Sequence, residues 1–171
     1  MNVQITRIDK SQKELFLNLY NLYLYDLSEF SGEDLLEEGK FDPTNTYLYL
    51  ERAELYPFFI QYEEKIIGFV LVCSPPYVDD DVDFTVQELF LAKKYRGQGL
   101  AAQAVDLVFA QFQGKFKVEQ LAYNRSAVSF WKKYYEHHHI EYVESEYSIE
   151  IENIAGSHRI LSQTFGRARM D

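Results

Sequence analysis

The run Arg96-Gly97-Gln98-Gly99-Leu100-Ala101 places two glycines one residue apart just before a segment of helical apolar spacing. Residues of these types in this order can hold a phosphate. Glycine lets the backbone approach a ligand with no side chain in the way. The free N–H groups of the turn and of the first helical turn converge on one spot, with the positive end of the helix dipole behind them. Such a nest suits a pyrophosphate. Three other groupings invite chemistry and read as structure. Asp79-Asp80-Asp81, with Asp83 just beyond, lacks the ligand spacing of a calcium loop and reads as a solvated hairpin tip. His137-His138-His139 point in different directions on a helix and lack the i, i+4 spacing of a metal pair, so no metal is expected. The single Cys73 lies in an apolar run with no His or acid near it in sequence, and reads as a small buried hydrophobe.

The loop admits three phosphate readings. Gly97-Gln98-Gly99-Leu100-Ala101-Ala102 formally fits the dinucleotide fingerprint G-x-G-x-x-A. However, it lies past the middle of the chain, within the one available βαβ unit. The following strand carries Glu119 in its interior and no acid at its end for a ribose. A Walker loop is excluded because no Gly-Lys-Ser/Thr occurs. A loop for a single nucleotide-like pyrophosphate is what is left.

The elements that must position this loop follow from the periodicity. Leu89 to Leu91 end a strand running from Phe84 to Ala92, and Ala101, Ala104, Val105, Val108, Phe109 and Phe112 mark a helix from Leu100 to Phe112, with Gly114 as its C-cap. A strand from Phe116 to Tyr123 completes a right-handed crossover unit. Upstream, Val3 to Ile8 reads as a strand, and Ser11 with Glu14 as a capping box. The helix that box opens has Leu15, Leu19, Leu22 and Leu27 on its inner face, widened by Tyr20, Tyr23 and Tyr25. Residues 28 to 43 form an acidic connection, read either as a solvated surface or as a lip that attracts amines. A second helix is expected from Thr46 to Tyr56, ending before Pro57. Phe58 to Tyr62 and Ile66 to Cys73 form a hairpin, and Gly68 marks a bulge or a close approach. Downstream, Asn124 precedes a helix from Ser126 to Glu136. Two strands, Glu141 to Glu152 and His158 to Phe165, turn at Asn153 to Gly156, and the basic tail Arg167 to Asp171 is expected to fray.

Composition bounds the rest. The chain has 171 residues with 47% hydrophobic and 16% aromatic content, which fits one domain over 1–171 with its own core. No apolar run reaches the roughly 18 residues of a membrane span. The start has no signal-peptide pattern, and the lone cysteine fits a reducing compartment, so a cytoplasmic protein is expected. A formal charge of −10 disfavours nucleic acid and anionic membrane as partners and suits a cationic one.

These residues resemble the GNAT superfamily of acetyl-CoA-dependent N-acetyltransferases. Arg96-Gly97-Gln98-Gly99-Leu100-Ala101 fills the family's Arg/Gln-x-x-Gly-x-Gly/Ala motif, and the strand Glu88 to Ala92 with Tyr95 matches its approach to the loop. Asn124-Arg125-Ser126-Ala127-Val128-Ser129-Phe130-Trp131-Lys132-Lys133 resembles the second signature, Asn-x-x-Ala-x-x-Phe-Tyr, about 25 residues downstream. The element order also matches. The resemblance implies an α/β (α+β) fold: a mixed, mostly antiparallel sheet of roughly six to seven strands with about four helices, splayed at two central parallel strands. It further implies transfer of an acetyl group from acetyl-CoA, as co-substrate without a metal, to a primary amine by direct attack in a ternary complex. The acceptor is a small molecule, and a homodimer is compatible with the exposed aromatics and the final hairpin. The alternative is a non-catalytic acyl-CoA-binding or sensing domain.

The resemblance also assigns residues. The N–H groups of Gln98, Gly99 and Ala101 would take the pyrophosphate at the start of the helix opened by Leu100. Arg96 would supply charge and Gly97 would permit the turn. The strand edge at Phe90 and Leu91 would pair with the pantetheine amides, and one of their N–H groups would polarise the thioester. Asn124 would bond the pantetheine arm or cap its helix. Glu88 would accept the amine's proton, or stand as an ordinary strand glutamate. Trp131 occupies the position where many relatives carry an acid tyrosine, so Tyr134, one turn on, is the substitute; its other reading is core packing.

Overall fold

The computed structural model of the chain describes residues 2–152 and 154–167. Among them, seven strands form one sheet: β1 (Gln4–Arg7), β2 (Leu55–Tyr62), β3 (Lys65–Cys73), β4 (Phe84–Leu91), β5 (Gly114–Leu121), β6 (Val143–Glu150) and β7 (Ser157–Arg167). The helices are α1 (Lys13–Ser31), α2 (Leu100–Gln111) and α3 (Arg125–His137). The strand order is β1-β2-β3-β4-β5-β7-β6. Only β4 and β5 run parallel; the other neighbours are antiparallel. This is the mixed, mostly antiparallel α/β architecture that the sequence predicts. The three α-helices, with the 3-10 helix Thr46–Leu50, stand where about four helices are expected.

The core lies on both faces of β2, β3 and β4, which explains why these strands read as near-continuous apolar runs. Phe59, Phe69, Leu71 and Phe90 pack against Phe16, Tyr20 and Leu24 of α1. Phe58, Val70, Val72, Val86 and Leu91 face the other way, onto Leu100, Ala104, Val105 and Val108 of α2 and Trp131 and Tyr135 of α3. At roughly 1.5 to 3 kcal/mol for each fully buried large apolar side chain, these two layers are the main source of stability.

Four local expectations change. The buried stripe of α1 is Phe16, Tyr20, Leu24 and Ser31, while Leu15 and Leu22 are exposed. Leucine and phenylalanine are equivalent to a periodicity count, and the sheet selects the aromatic stripe because it meshes with Phe69 and Phe90. The capping box is formed by Asp9 and Gln12 at the start of a 3-10 turn, two residues before the Ser11 and Glu14 pair. The helix expected over Thr46 to Tyr56 stops at Leu50, and the chain is already extended at Leu55, with Pro57 inside β2. Lastly, Gly114 opens β5 instead of capping α2. A β-carbon there would lie 2.5 Å from the Asp83 carboxylate, which accepts the Lys115 N–H at 2.7 Å. The turn between β6 and β7 falls where expected, although Asn153 lies outside the described residues, as do residues 168–171 of the basic tail.

Among the described residues no helix is long and apolar enough to cross a membrane.

Candidate active site

The parallel pair at the centre of the sheet is only two positions long. Phe84 faces Phe116 and Thr85 faces Lys117, and pairing ends there. β4 stays with β3 as far as Leu91, and β5 stays with β7 as far as Leu121. The sheet therefore opens into a V whose closed end is clamped by Asp83, through its carboxylate on the Lys115 N–H and its own N–H on the Lys115 carbonyl at 2.9 Å. Beyond Thr85 the inner edge of β4 has no strand partner among the described residues, which leaves backbone groups able to pair with an extended ligand.

Backbone direction decides which groups line this gap. The Ala92 N–H donates to the Ile67 carbonyl on β3. Strand alternation then turns Phe90 toward β3 as well and Leu89 and Leu91 toward the gap. Gly68 supports this assignment, since a β-carbon there would come within 1.9 Å of the Phe90 carbonyl. Only glycine allows that approach, which is the close packing its place in the strand suggests. Of the two predicted donors, Leu91 thus faces the gap, Phe90 does not, and Leu89 joins Leu91. Phe90 contributes its ring, with the Arg96 guanidinium 5.7 Å from its centroid.

The glycine loop lies beyond the open end of β4. Gly97 and Gly99 both have left-handed backbones, with φ of 73° and 76°, and Gly99 is the N-cap of α2. Among the described residues, the N–H groups from Gly97 to Ala101 meet no protein acceptor. Buried Leu100 anchors the first turn of α2, and the Gln98 side chain donates to the Lys94 carbonyl at 2.9 Å. Two left-handed residues, outward N–H groups and a helix N-terminus fit a diphosphate. Arg96 is less free than expected. Its Nε donates to the Leu91 carbonyl at 2.8 Å and its guanidinium pairs with Asp26 of α1, which Lys93 also approaches at 3.8 Å. The arginine ties loop, strand and helix together, and Asp26 already matches its charge.

Glu88 owes its orientation to a bulge. Leu71 pairs with Glu88 but Val72 pairs with Val86, so Gln87 is an extra residue on β4. One extra residue moves everything after it to the opposite face. Val86 packs toward α2 and α3, while Phe90 packs toward α1 and Glu88 meets its Tyr23. Glu88 is half-buried; desolvation pushes its carboxyl up to about 7, and the Tyr23 hydroxyl opposes part of that rise. Tyr20, Tyr49 and Cys73 also feel the charge of Glu88; burial raises both phenols and takes the Cys73 thiol up to about 11, so it is no nucleophile at neutral pH. The acidic connection lies on this side. The Asn21 side chain brackets Phe41 through both backbone groups, at 3.1 and 2.8 Å, and Glu33 acts on Tyr20. Asp79 instead pairs with Lys117, at the closed end of the V.

On α3, the Asn124 side chain accepts the Ala127 N–H at 3.2 Å and caps the helix. Trp131 is buried between Phe130, Tyr134 and Tyr135. The Tyr134 hydroxyl donates to Asp106 of α2 at 2.6 Å, and His138 Nε2 lies 3.2 Å from the same oxygen. Burial and Asp106 both raise the Tyr134 phenol. Its proton is thus committed to a tie between two helices. Sequence reasoning misses the tyrosines around Glu88, because periodicity assigns Tyr20 and Tyr23 to packing alone. Their i, i+3 spacing is visible, but the glutamate they face is far away in the chain. Among the described residues no three His, Cys, Asp or Glu side chains gather to hold a metal ion.

A model of the acetyltransferase (GNAT) family matches residues 16–135, from α1 through α3. No curated protein matches the chain. Solved structures share its fold. A spermidine N-acetyltransferase from Vibrio cholerae, in complex with CoA and spermine, is 14% identical with a TM-score of 0.66, over 97% of this chain and 96% of that one. An acetyltransferase from Thermus thermophilus is 14% identical with a TM-score of 0.64, over 95% and 96%. The ribosomal-protein-S18-alanine N-acetyltransferase from Escherichia coli is 12% identical with a TM-score of 0.59, over 99% and 96%. The family model spans the splayed strands, the glycine loop and both helices that flank them, and on that match the chain belongs to the acetyltransferase (GNAT) family.

Proposed function

We propose that the protein transfers an acetyl group from acetyl-CoA to the primary amine of a small cationic acceptor by direct attack in a ternary complex. The observation that carries this reading is a glutamate that meets no cation partner among the described residues, beside an open strand edge that leads to a diphosphate-sized nest. Acetyl-CoA would supply the activated acetyl thioester. The N–H groups of residues 97 to 101 would hold its diphosphate, and the Leu89 and Leu91 edge its pantetheine arm.

An alkylammonium has a pKa of about 10.4 and cannot attack while protonated. Glu88 takes one of its protons, directly or through water, and its raised pKa places the carboxylate near the pH at which it must act. The Leu91 N–H donates to the thioester oxygen as negative charge grows there. The N–C bond forms as the C–S bond breaks, the nitrogen loses its second proton to solvent, and the sulfur leaves as a thiolate. A thiol of pKa about 8.5 is an acceptable leaving group without a protein acid. That suits a chain with Trp131 in the family's tyrosine position and with the Tyr134 hydroxyl on Asp106.

The acceptor class rests on charge: a formal −10 overall, with Glu33 on the side of Glu88. The compartment is proposed to be the cytoplasm. A homodimer through the open edge of β6, which exposes Val143, Tyr147 and Ile149, belongs to the same reading, and light scattering that shows a monomer removes it.

The experiment is a mass-spectrometric search for N-acetylated products after incubation with acetyl-CoA and a panel of polyamines, aminoglycosides, amino acids and lysine peptides. An acetylated alkylamine supports the reading. CoA-dependent thermal stabilisation with no product from any amine favours the acyl-CoA-binding alternative, which the missing tyrosine at 131 motivates.

A further inference from the structure

Residues 93–99 join the end of β4 to the start of α2, and two of them are left-handed glycines. Their backbone N–H groups bond only locally, Tyr95 to the Ala92 carbonyl at 2.9 Å and Arg96 to the Lys93 carbonyl at 3.1 Å. The Gln98 side chain also stays within the loop, on Lys94. Among the described residues, Arg96 makes the only side-chain hydrogen bonds that leave this segment for another element. A loop with so few ties opens easily unless something outside holds it.

Arg96 is held from two sides. Its Nε donates to the Leu91 carbonyl at 2.8 Å, and its guanidinium bonds the Asp26 carboxylate of α1. In a strand the N–H and C=O of one residue point the same way. The Leu91 carbonyl therefore faces the gap with its N–H, and the arginine closes the open edge of β4 at that point. The fork of N–H groups on a guanidinium is rigid, so fixing two of them aims the rest. Arg96 remains 42% exposed while Asp26 is 24% exposed, which leaves the other N–H groups accessible beside the nest. A surface ion pair adds little stability by itself. This one matters through direction, since Asp26 is the carboxylate that keeps the fork turned, with Lys93 3.8 Å away as its second cation.

We propose that Asp26 is a positioning residue for the cofactor loop: through Arg96 it straps the loop to α1 and holds the guanidinium where the diphosphate of acetyl-CoA arrives. This rests on the proposed diphosphate site at residues 97 to 101. It places a requirement on α1, about 70 residues before the loop, that neither signature motif contains.

The test compares Asp26→Ala, which removes the anchor, with Asp26→Asn, whose amide oxygen still accepts from the guanidinium. In the protein without cofactor, amide exchange at Tyr95 and Arg96 should be severalfold faster in Asp26→Ala, with the amides of β5 and β7 unchanged, and close to wild type in Asp26→Asn. By calorimetry, CoA affinity should fall about five- to tenfold in Asp26→Ala and stay within about twofold of wild type in Asp26→Asn. The loss should vanish when Asp26→Ala is made in an Arg96→Ala background, because the aspartate acts only through the arginine. Unchanged exchange at Tyr95 and Arg96 in Asp26→Ala overturns the proposal, as does exchange that quickens equally in β5 and β7, which marks general loosening. Tighter CoA binding in Asp26→Ala overturns it too, since the carboxylate would then only mask the charge of Arg96. Because the exchange measurement needs no cofactor, it decides the role of Asp26 even if CoA does not bind, the outcome that would instead defeat the diphosphate reading.

Discussion

Glu88 combines a structural cost with a chemical use. Its carboxyl, raised to about 7 by burial, binds a proton in the folded chain under conditions where an unfolded chain has released it. The sign follows from linkage: between the ordinary carboxyl value and about 7 the unfolded state binds fewer protons, so this group's contribution to stability falls as pH rises through that window and is flat above it. Glu88→Gln should therefore melt a few degrees higher than the wild type at pH 8, with little difference at pH 4, in parallel thermal scans. Equal differences at both pH values would show that the carboxyl is not desolvated as described. Tyr134 supports a prediction of the opposite kind. Its hydroxyl bonds Asp106 across α2 and α3, so Tyr134→Phe should cost about 1 to 2 kcal/mol in denaturant unfolding and leave the rate of acetyl transfer within about twofold. A large rate loss with unchanged stability would restore Tyr134 as the acid. At this scale the sequence identifies Glu88 through its place before the loop. It does not show that Arg96 is spent on Asp26 and Leu91, because a motif records which residue is present and not which partner it meets.

Elements position these side chains through two backbone devices, one legible in the sequence and one not. Gly68 reads from its place in the strand as a site of close approach, and the Phe90 carbonyl is what approaches it. Gly68→Ala should push β4 away from β3 beside the open edge, lowering stability by about 1 to 3 kcal/mol. Acetyl-CoA binding should weaken more than stability alone explains, as measured by calorimetry on the folded fraction; unaltered affinity would mean that the edge of β4 does not form the cofactor site. The bulge at Gln87 leaves no signal, since Thr85 to Leu91 reads equally well as an uninterrupted strand, yet it alone turns Glu88 toward α1. The stripe of α1 escapes the sequence for a related reason: periodicity finds that a helix has an apolar face, while the shape of the sheet determines which one is buried. In the glycine loop the two levels agree. Gly99→Glu forces a side chain onto a left-handed residue and sets a negative charge in the nest, so it should abolish the thermal shift produced by CoA.

Over the whole molecule, strand order and splay are legible because two motifs on successive elements fix the central crossover. The residues that fill the α1 side are not, since α1 and the acidic connection meet β4 only through tertiary packing. Net charge belongs to this scale as well. A formal −10, with acidic side chains on the side of Glu88, should make capture of a cationic amine salt-dependent, and kcat/KM for such an acceptor should fall severalfold between low and high ionic strength while kcat changes little. The central claim, that Glu88 in the splayed sheet serves acetyl transfer to an amine, is tested most directly by amine-dependent thiol release from acetyl-CoA, measured across pH for the wild type and Glu88→Gln. The predicted result is an acid limb with a midpoint near 7 in the wild type and a loss of about a hundredfold or more in the variant. Equal rates in the two proteins, at any pH, would contradict it.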